Sequence, residues 1–178
     1  MLILLGRDVQ KIQPVTDAVG KIDSSIVTKV IEVHLDSNYS VRKAAQQVME
    51  DDSIPKVDVL INNGGIMACP YSTTEDGIER QFATNHIGHF LLTNLLMPKL
   101  LAASPSSRVV NVSSYGNVLS NVREDPGFHD GKDYNPFLSY GQSKTANVLM
   151  AVGLNNRLKG RRLKAFALDL GSRSMNPA

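Results

Sequence analysis

Short apolar runs alternate along this chain with longer stretches in which apolar residues recur every three or four positions. Residues 1–5 (Met-Leu-Ile-Leu-Leu) read as a buried strand ended by Gly6. Residues 9–19 carry a helical period, but Pro14 predicts a helix that is short, broken or begins at the proline. Residues 25–35 hold Ile26, Val27, Val30, Ile31 and Val33, a β-branched strand. Asp36-Ser37 then offers an N-cap before a helix over 41–49. Residues 57–61 form another apolar strand, closed by Asn62-Asn63-Gly64-Gly65.

A long helical zone covers residues 74–101, read as one helix or as two, with Gly88 and Thr84-Asn85 as candidate break points. Residues 108–114 return to a strand, and Gly, Asp and Pro punctuate the loop up to Pro136. Residues 138–158 read as one helix and 163–168 as the last strand. Strands separated by helical crossovers predict an α/β fold, a doubly wound, Rossmann-like parallel sheet. The continuous apolar run over 57–61 suits a sheet covered on both faces. Without repeats or low-complexity linkers, residues 1–178 are expected to form a single domain.

Composition narrows the function classes. A formal charge of +2 is too small to imply nucleic acid, and Arg161, Arg162 and Lys164 read as a solvated helix end. Cys69 is the only cysteine, which excludes an intramolecular disulfide and a cysteine-based metal cluster. No apolar run approaches the roughly 18 residues of a membrane span. The opening apolar run is too short for a signal peptide and has no basic residue ahead of it. A cytoplasmic protein is the expectation.

Chemistry concentrates in Tyr140-Gly-Gln-Ser143-Lys144. Tyr and Lys four apart project from one helical face, so phenol and ammonium can share a site. A free phenol ionises near pH 10, and a neighbouring cation favours phenolate, which suits Tyr140 to exchange a proton with an alcohol or carbonyl oxygen. The spacing alone also fits an ordinary helix face. Its company is more specific. The strand Arg108-Val-Val-Asn111-Val-Ser113-Ser114 ends in serines, and ligands of parallel α/β sheets sit at strand carboxyl ends. Ser114 there can orient a reacting oxygen or simply cap the next turn. The glycines of Asn62-Asn63-Gly64-Gly65 let a flat ligand approach the backbone, though an ordinary turn uses the same residues.

Taken in order, VDVLINNGG over 57–65, GIM over 65–67, TTEDGIERQFATNHIGHF near 73–90, RVVNVSS over 108–114 and YGQSK over 140–144 resemble the short-chain dehydrogenase/reductase superfamily. Within it, the chain is similar to the retinol-dehydrogenase-like and WW-domain-oxidoreductase-like branch, over residues 2–171. The resemblance implies an oxidoreductase that passes hydride between NADP(H), with NAD possible, and a small-molecule alcohol or carbonyl. It places the catalytic set on Asn85, Ser114, Tyr140 and Lys144. Tyr140 is the implied general acid/base, Lys144 its activating cation and a holder of the nicotinamide ribose. Ser114 orients the substrate oxygen, and Asn85 keeps a water that extends a proton relay. Cofactor contacts fall on Arg7, Asp36, Asn63 and Gly64 as well as Tyr140 and Lys144. A cation at Arg7 favours the 2′-phosphate of NADP. The family also implies a homodimer through the helices over 85–101 and 138–158. Its Asn-His-x-Gly-His-Phe pattern accounts for His86 and His89 without a metal.

Two departures stand out. The family opens with a strand and a Gly-rich turn that holds pyrophosphate at a helix N-terminus; Gly6 and Gly20 do not make that motif. About 30 residues, one strand–helix crossover, are thus expected to be lacking. Strand order 3-2-1-4-5-6 would then leave two apolar edges exposed, or force a new pairing between them. After the last strand, Asp169-Leu170-Gly171-Ser172 has Leu where the family has Pro, and the final strand is lacking as well. A non-catalytic fragment or degraded copy, unable to bind dinucleotide, is the alternative expectation.

Overall fold

The computed structural model describes residues 1–103 and 107–171. Every strand pairing in it is parallel, as the alternating pattern predicts, but the sheet comes in two pieces. β1 (Leu2–Gly6) pairs with β2 (Thr28–Glu32), Leu2 opposite Thr28 and Gly6 opposite Glu32. β3 (Val59–Asn62), β4 (Ser107–Val112) and β5 (Leu163–Leu168) form the second piece in that order. β1 and β3 do not pair with each other. Of the two arrangements expected for these edges, the one without a new pairing is observed. A cavity of about 730 Å³ separates β1 from β3.

Helix packing rather than a ladder holds the two pieces together. α2 (Asn38–Glu50) buries Val41, Ala44, Ala45 and Val48, which join Leu92, Leu96 and Leu100 of the long helical zone in one core with Leu60, Val109 and Ala165. Ser37 caps α2 by accepting the Ser40 N–H at 3.3 Å, while Asp36 lies one residue before the cap.

α1 (Val9–Ile22) runs unbroken through Pro14, against the expectation of a break. It is capped by Asp8, and the carbonyl that the proline deprives of a donor belongs to exposed Gln10, where water can replace it. The zone over 74–101 also differs. Residues 74–78 make a tight turn, with Thr74 N–H donating to Ile78 O at 2.9 Å and Gly77 at φ +75°. Helix begins only at α3 (Arg80–Phe82), passes through a π-helical turn (Ala83–Ile87) and continues as α4 (Gly88–Leu95) without a break at Gly88. The break comes at Leu96, before α5 (Met97–Leu101) with Pro98 in its first turn, where a proline is tolerated. Gly88 has another reason to be glycine: a Cβ there would lie 2.3 Å from Leu35 O.

The loop after β4 contains a 3₁₀ turn (Tyr115–Leu119) and a single turn α6 (Phe128–Gly131). α7 (Pro136–Arg157) is capped by Asn135, whose Oδ1 accepts from Phe137 and Leu138 N–H. Among the described residues no helix is long and apolar enough to cross a membrane. Residues 172–178, part of the expected C-terminal departure, lie outside them.

Candidate active site

β4 and α7 are locked together by buried amides and a hydroxyl, and this lock sets the site. Asn111 Nδ2 donates to Asn147 O at 3.1 Å, Asn147 Nδ2 to Val112 O at 3.2 Å, and Ser113 Oγ to Lys144 O at 2.9 Å. Asn62 extends the lock to β3 by donating to Asn111 Oδ1 at 2.9 Å. With α7 fixed in this register, the helix turn carrying Tyr140 and Lys144 stands over the carboxyl ends of β3 and β4.

There Asn63, Ser114, Tyr140 and Lys144 line one cavity of about 300 Å³, together with Gly65 and Asp169. Four of the residues singled out from the sequence are thus brought to one place. Lys144 Nζ lies 5.4 Å from the Tyr140 ring centroid and donates to Val112 O at 3.1 Å. Lys144 is 5% exposed, and burial holds its ammonium below the usual lysine range. Ser114 Oγ accepts the Gly116 N–H at 3.1 Å, so the serine caps the following turn and faces the cavity at once. Gly116 permits this: a Cβ there would sit 2.9 Å from Tyr140 Cε1 and 3.6 Å from Ser114 Oγ.

Asn85 stands behind the cavity wall, fully buried within the π-helical turn, an irregularity that often marks functional positions. Its Nδ2 donates to Ile66 O at 2.9 Å and to Ser143 Oγ at 3.0 Å, and its Oδ1 accepts the Ile66 N–H at 2.8 Å. The same Oδ1 and Lys144 Nζ converge on Gly65, at 3.0 and 3.7 Å from where its Cβ would be. Gly64 faces away from this cavity, toward Leu35 and His89. Arg7 and Asp36 are not brought into the cavity; they follow β1 and β2 on the other piece of the sheet.

Several positioning groups escaped the sequence reading. Glu79, 2% exposed, accepts the N–H groups of Gln81 and Phe82 at 3.0 and 2.7 Å and the Ser139 hydroxyl at 2.8 Å. Gln81 Nε2 donates to Tyr134 Oη at 2.7 Å and to Pro136 O at 2.9 Å, and its Oε1 accepts the Ala68 N–H at 2.9 Å. The pair thereby ties the Asn85 helix, the Tyr140 helix and the loop after Gly65. The sequence carried no distinct signal for them, since Glu79 and Gln81 stand among other polar residues such as Asp76, Arg80 and Thr84. His86 and His89 are turned to separate protein partners: His86 Nδ1 pairs with Asn147 Oδ1 at 3.1 Å, and His89 Nδ1 with Asn85 O at 3.0 Å.

The short chain dehydrogenase family profile matches residues 1–124. Human retinol dehydrogenase 13 is 41% identical over 172 residues, covering 96% of this chain and 50% of that protein. Human retinol dehydrogenase 14 is 43% identical over 142 residues, 80% of this chain and 41% of that protein. The chain therefore spans about half the length of the curated relatives it matches. A crystal structure of a Mycobacterium paratuberculosis protein superposes with a TM-score of 0.76 at 38% identity, covering 99% of this chain and 60% of that one. The NADPH-bound carbonyl reductase from chicken fatty liver shares the fold at 22% identity, TM-score 0.67, with 94% of this chain and 66% of that one covered. With residues 1–124 matched and identities near 40% to those relatives, the chain belongs to the short chain dehydrogenase family, on its retinol-dehydrogenase-like side.

Proposed function

We propose that this crevice serves hydride transfer between NADP(H) and an alcohol or carbonyl compound, with Tyr140 as general acid/base. The observation that carries the reading is the convergence of Tyr140, Lys144 and Ser114 on one cavity at the carboxyl ends of β3 and β4. The Tyr140 hydroxyl exchanges the proton at the substrate oxygen, and the Ser114 hydroxyl orients that oxygen by a hydrogen bond. Lys144 places a buried cation beside the phenol. Asn85 Oδ1 keeps a lone pair toward the space above Gly65 that Lys144 Nζ also faces, where a water bridges the two and continues the proton path. A nicotinamide cofactor supplies the hydride when bound. Its nicotinamide end suits Asn63, Tyr140 and Lys144, since Gly65 leaves the Lys144 ammonium open toward the cavity. Asp36 and Gly64 contact the adenosine half, and Arg7 favours a 2′-phosphate over a bare ribose.

Calorimetric titration of the purified chain with NADPH and with NADH tests this; the chain has no Trp, so protein fluorescence is a poor reporter. Tighter binding of NADPH, reversed by Arg7→Asp, supports the reading. Equal affinity for both nucleotides removes the role given to Arg7. One observation favours a second reading, a fragment that does not bind dinucleotide: Arg7 and Asp36 sit on a sheet piece with no ladder to the catalytic piece. No binding of either nucleotide by a folded chain selects it. A homodimer through the outer faces of α4 and α7 fits the exposure of Phe90, Leu149 and Val152; a sedimentation coefficient of a monomer at micromolar concentration counts against it.

A further inference from the structure

Asn63-Gly64 is the one place in the chain where an asparagine is followed by a glycine. That pair carries a reactivity of its own. The backbone nitrogen after an asparagine can attack the side-chain amide carbon and close a five-membered imide ring. Any side chain larger than hydrogen crowds that nitrogen and restricts the backbone turn the attack needs, so glycine in the second position favours it most. The fold decides whether the chemistry is available. The amide must be free to rotate, the glycine N–H must not be held by a carbonyl, and water must reach the ring.

All three conditions are met just past β3. Asn63 and Gly64 are both exposed. No hydrogen-bond partner of the Asn63 amide or of the Gly64 N–H is seen among the described residues. Comparable positions nearby are held. Asn62, one residue earlier, is 1% exposed, and its Nδ2 donates to Thr93 Oγ1 at 3.0 Å and to Asn111 Oδ1 at 2.9 Å. Asp76-Gly77 can form the same imide, but Gly77 N–H donates to Thr74 O at 2.9 Å and Asp76 Oδ2 accepts the Asn38 N–H at 2.9 Å. At Asp130-Gly131 the Gly131 N–H donates to Gly127 O at 3.3 Å. An ionised carboxylate is also a far poorer electrophile than an amide. Asn63 is thus singled out twice, by its neighbour in sequence and by the open loop it occupies.

We propose that Asn63-Gly64 is a self-modification site set in the wall of the Tyr140 crevice, where spontaneous deamidation retires the site with age. A bond forms between Gly64 N and Asn63 Cγ, the bond from Cγ to the amide nitrogen breaks, and ammonia leaves with the Gly64 amide proton. Water then opens the ring at either carbonyl. Opening at Cγ gives aspartate; opening at the backbone carbonyl gives isoaspartate, in which the main chain runs through the side chain and gains one methylene. Water is the only co-reactant. Either product replaces a neutral amide by a carboxylate. Asn63 lines the cavity together with Ser114, Tyr140 and Lys144, so the new anion shares that space with the Lys144 ammonium and draws it away from the phenol and from a cofactor. Isoaspartate also displaces Gly65, whose Cβ position lies 3.0 Å from Asn85 Oδ1 and 3.7 Å from Lys144 Nζ. The loss of function rests on the hydride-transfer reading above, whereas the modification does not.

The test is peptide mapping by mass spectrometry of the purified chain, aged in heavy-oxygen water at mildly alkaline pH. A synthetic peptide of residues 60–67 and the Gly64→Ala variant are aged beside it. A Cβ at Gly64 meets the end of the Leu35 side chain at 2.9 Å, which can swing aside. Asn63 should take up one heavy oxygen and give mostly isoaspartate, while the other asparagines stay intact. Its rate in the folded chain should lie within about tenfold of the peptide's; a slower one, as for a segment that reacts only through local opening, overturns the proposal. Gly64→Ala should slow the reaction severalfold, and a variant that reacts at the parent's rate also overturns it. NADPH titrated into fresh and aged chain reads the consequence. Binding weakened about tenfold or more by ageing is expected, and equal affinity overturns the loss of function. A fresh chain that binds no NADPH yet modifies Asn63 upholds the modification site and counts only against the cofactor reading.

Discussion

Acid should weaken this fold through His89 before most of its carboxylates are protonated. In the folded chain burial drives the imidazole pKa from its ordinary value of 6.5 down to about 4, with the Lys144 ammonium adding in the same direction. Because the folded-state pKa lies below the unfolded one, the unfolded chain binds the proton first. The stability tied to neutral His89 is therefore complete above pH ~6.5 and is lost as pH falls toward ~4. A shift of about 2.5 units corresponds to roughly 3 kcal/mol, of which about 2 kcal/mol is lost between pH ~7 and pH ~4.5. For a domain of this size that is a large share of a net stability of about 5–15 kcal/mol.

The assay is equilibrium urea unfolding followed by circular dichroism at those two pH values, on the parent chain and on His89→Gln. Glutamine keeps a donor for Asn85 O and does not titrate. The variant should be less stable near neutrality by about 1 kcal/mol, for imperfect replacement of the hydrogen bond. Between the two pH values it should lose about 2 kcal/mol less than the parent. His86, half-buried and also lowered, acts with the same sign in both proteins and cancels in the comparison, as do half-buried Asp125 and exposed Asp133. An identical pH slope in parent and variant would refute the assignment, since nothing else distinguishes the two chains.

Three further outcomes follow from the site. Glu79→Ala orphans the N–H groups of Gln81 and Phe82 and the Ser139 hydroxyl, so it should cost about 2–4 kcal/mol in urea unfolding, whereas Ser139→Ala should cost about 1 kcal/mol. Asn147→Leu breaks the bond to Val112 O and leaves His86 Nδ1 without its partner; a loss of about 1–3 kcal/mol is expected, with α7 amides exchanging faster than those of α2 in hydrogen-exchange mass spectrometry. Gly116→Ala puts a methyl 2.9 Å from Tyr140 Cε1, and displacing that ring should lower any NADPH-dependent carbonyl reduction about tenfold or more, with a cost to folding of about 1–3 kcal/mol.

Strand after strand was legible because a buried parallel strand writes itself as a short apolar run, and β5 (Leu163–Leu168) matches the pattern residue for residue. The meeting of Tyr140, Lys144 and Ser114 in one cavity was legible because it follows from side chains at fixed spacings on a strand end and a helix. What stayed hidden depends on distant partners. Residues 74–79 carry apolar and polar positions that suit a helix, yet Gly77 takes a left-handed turn and Glu79 starts the helix late. The helix through Pro14 survives because the carbonyl it strands is in solvent, a fact of burial that no local pattern records. Glu79 and Gln81 read as polar interruptions, since the serine, tyrosine and amide groups that satisfy them come from more than 50 residues away or from a loop.

The two pieces of the sheet have unequal claims on the rest of the molecule. The β3–β4–β5 piece is tied to α7 and to the long helical zone by hydrogen bonds from buried Asn62, Asn111, Ser113 and Asn147, so its register is held at several points. The β1–β2 piece is held by α1, by the apolar seam of α2 against α4, and by Leu35 wedged at Gly64 and Gly88. Apolar contacts of that kind tolerate small shifts better than directional buried hydrogen bonds do. The crevice around Tyr140 is thus built on the β3–β4–β5 piece, independently of the piece that carries Arg7 and Asp36.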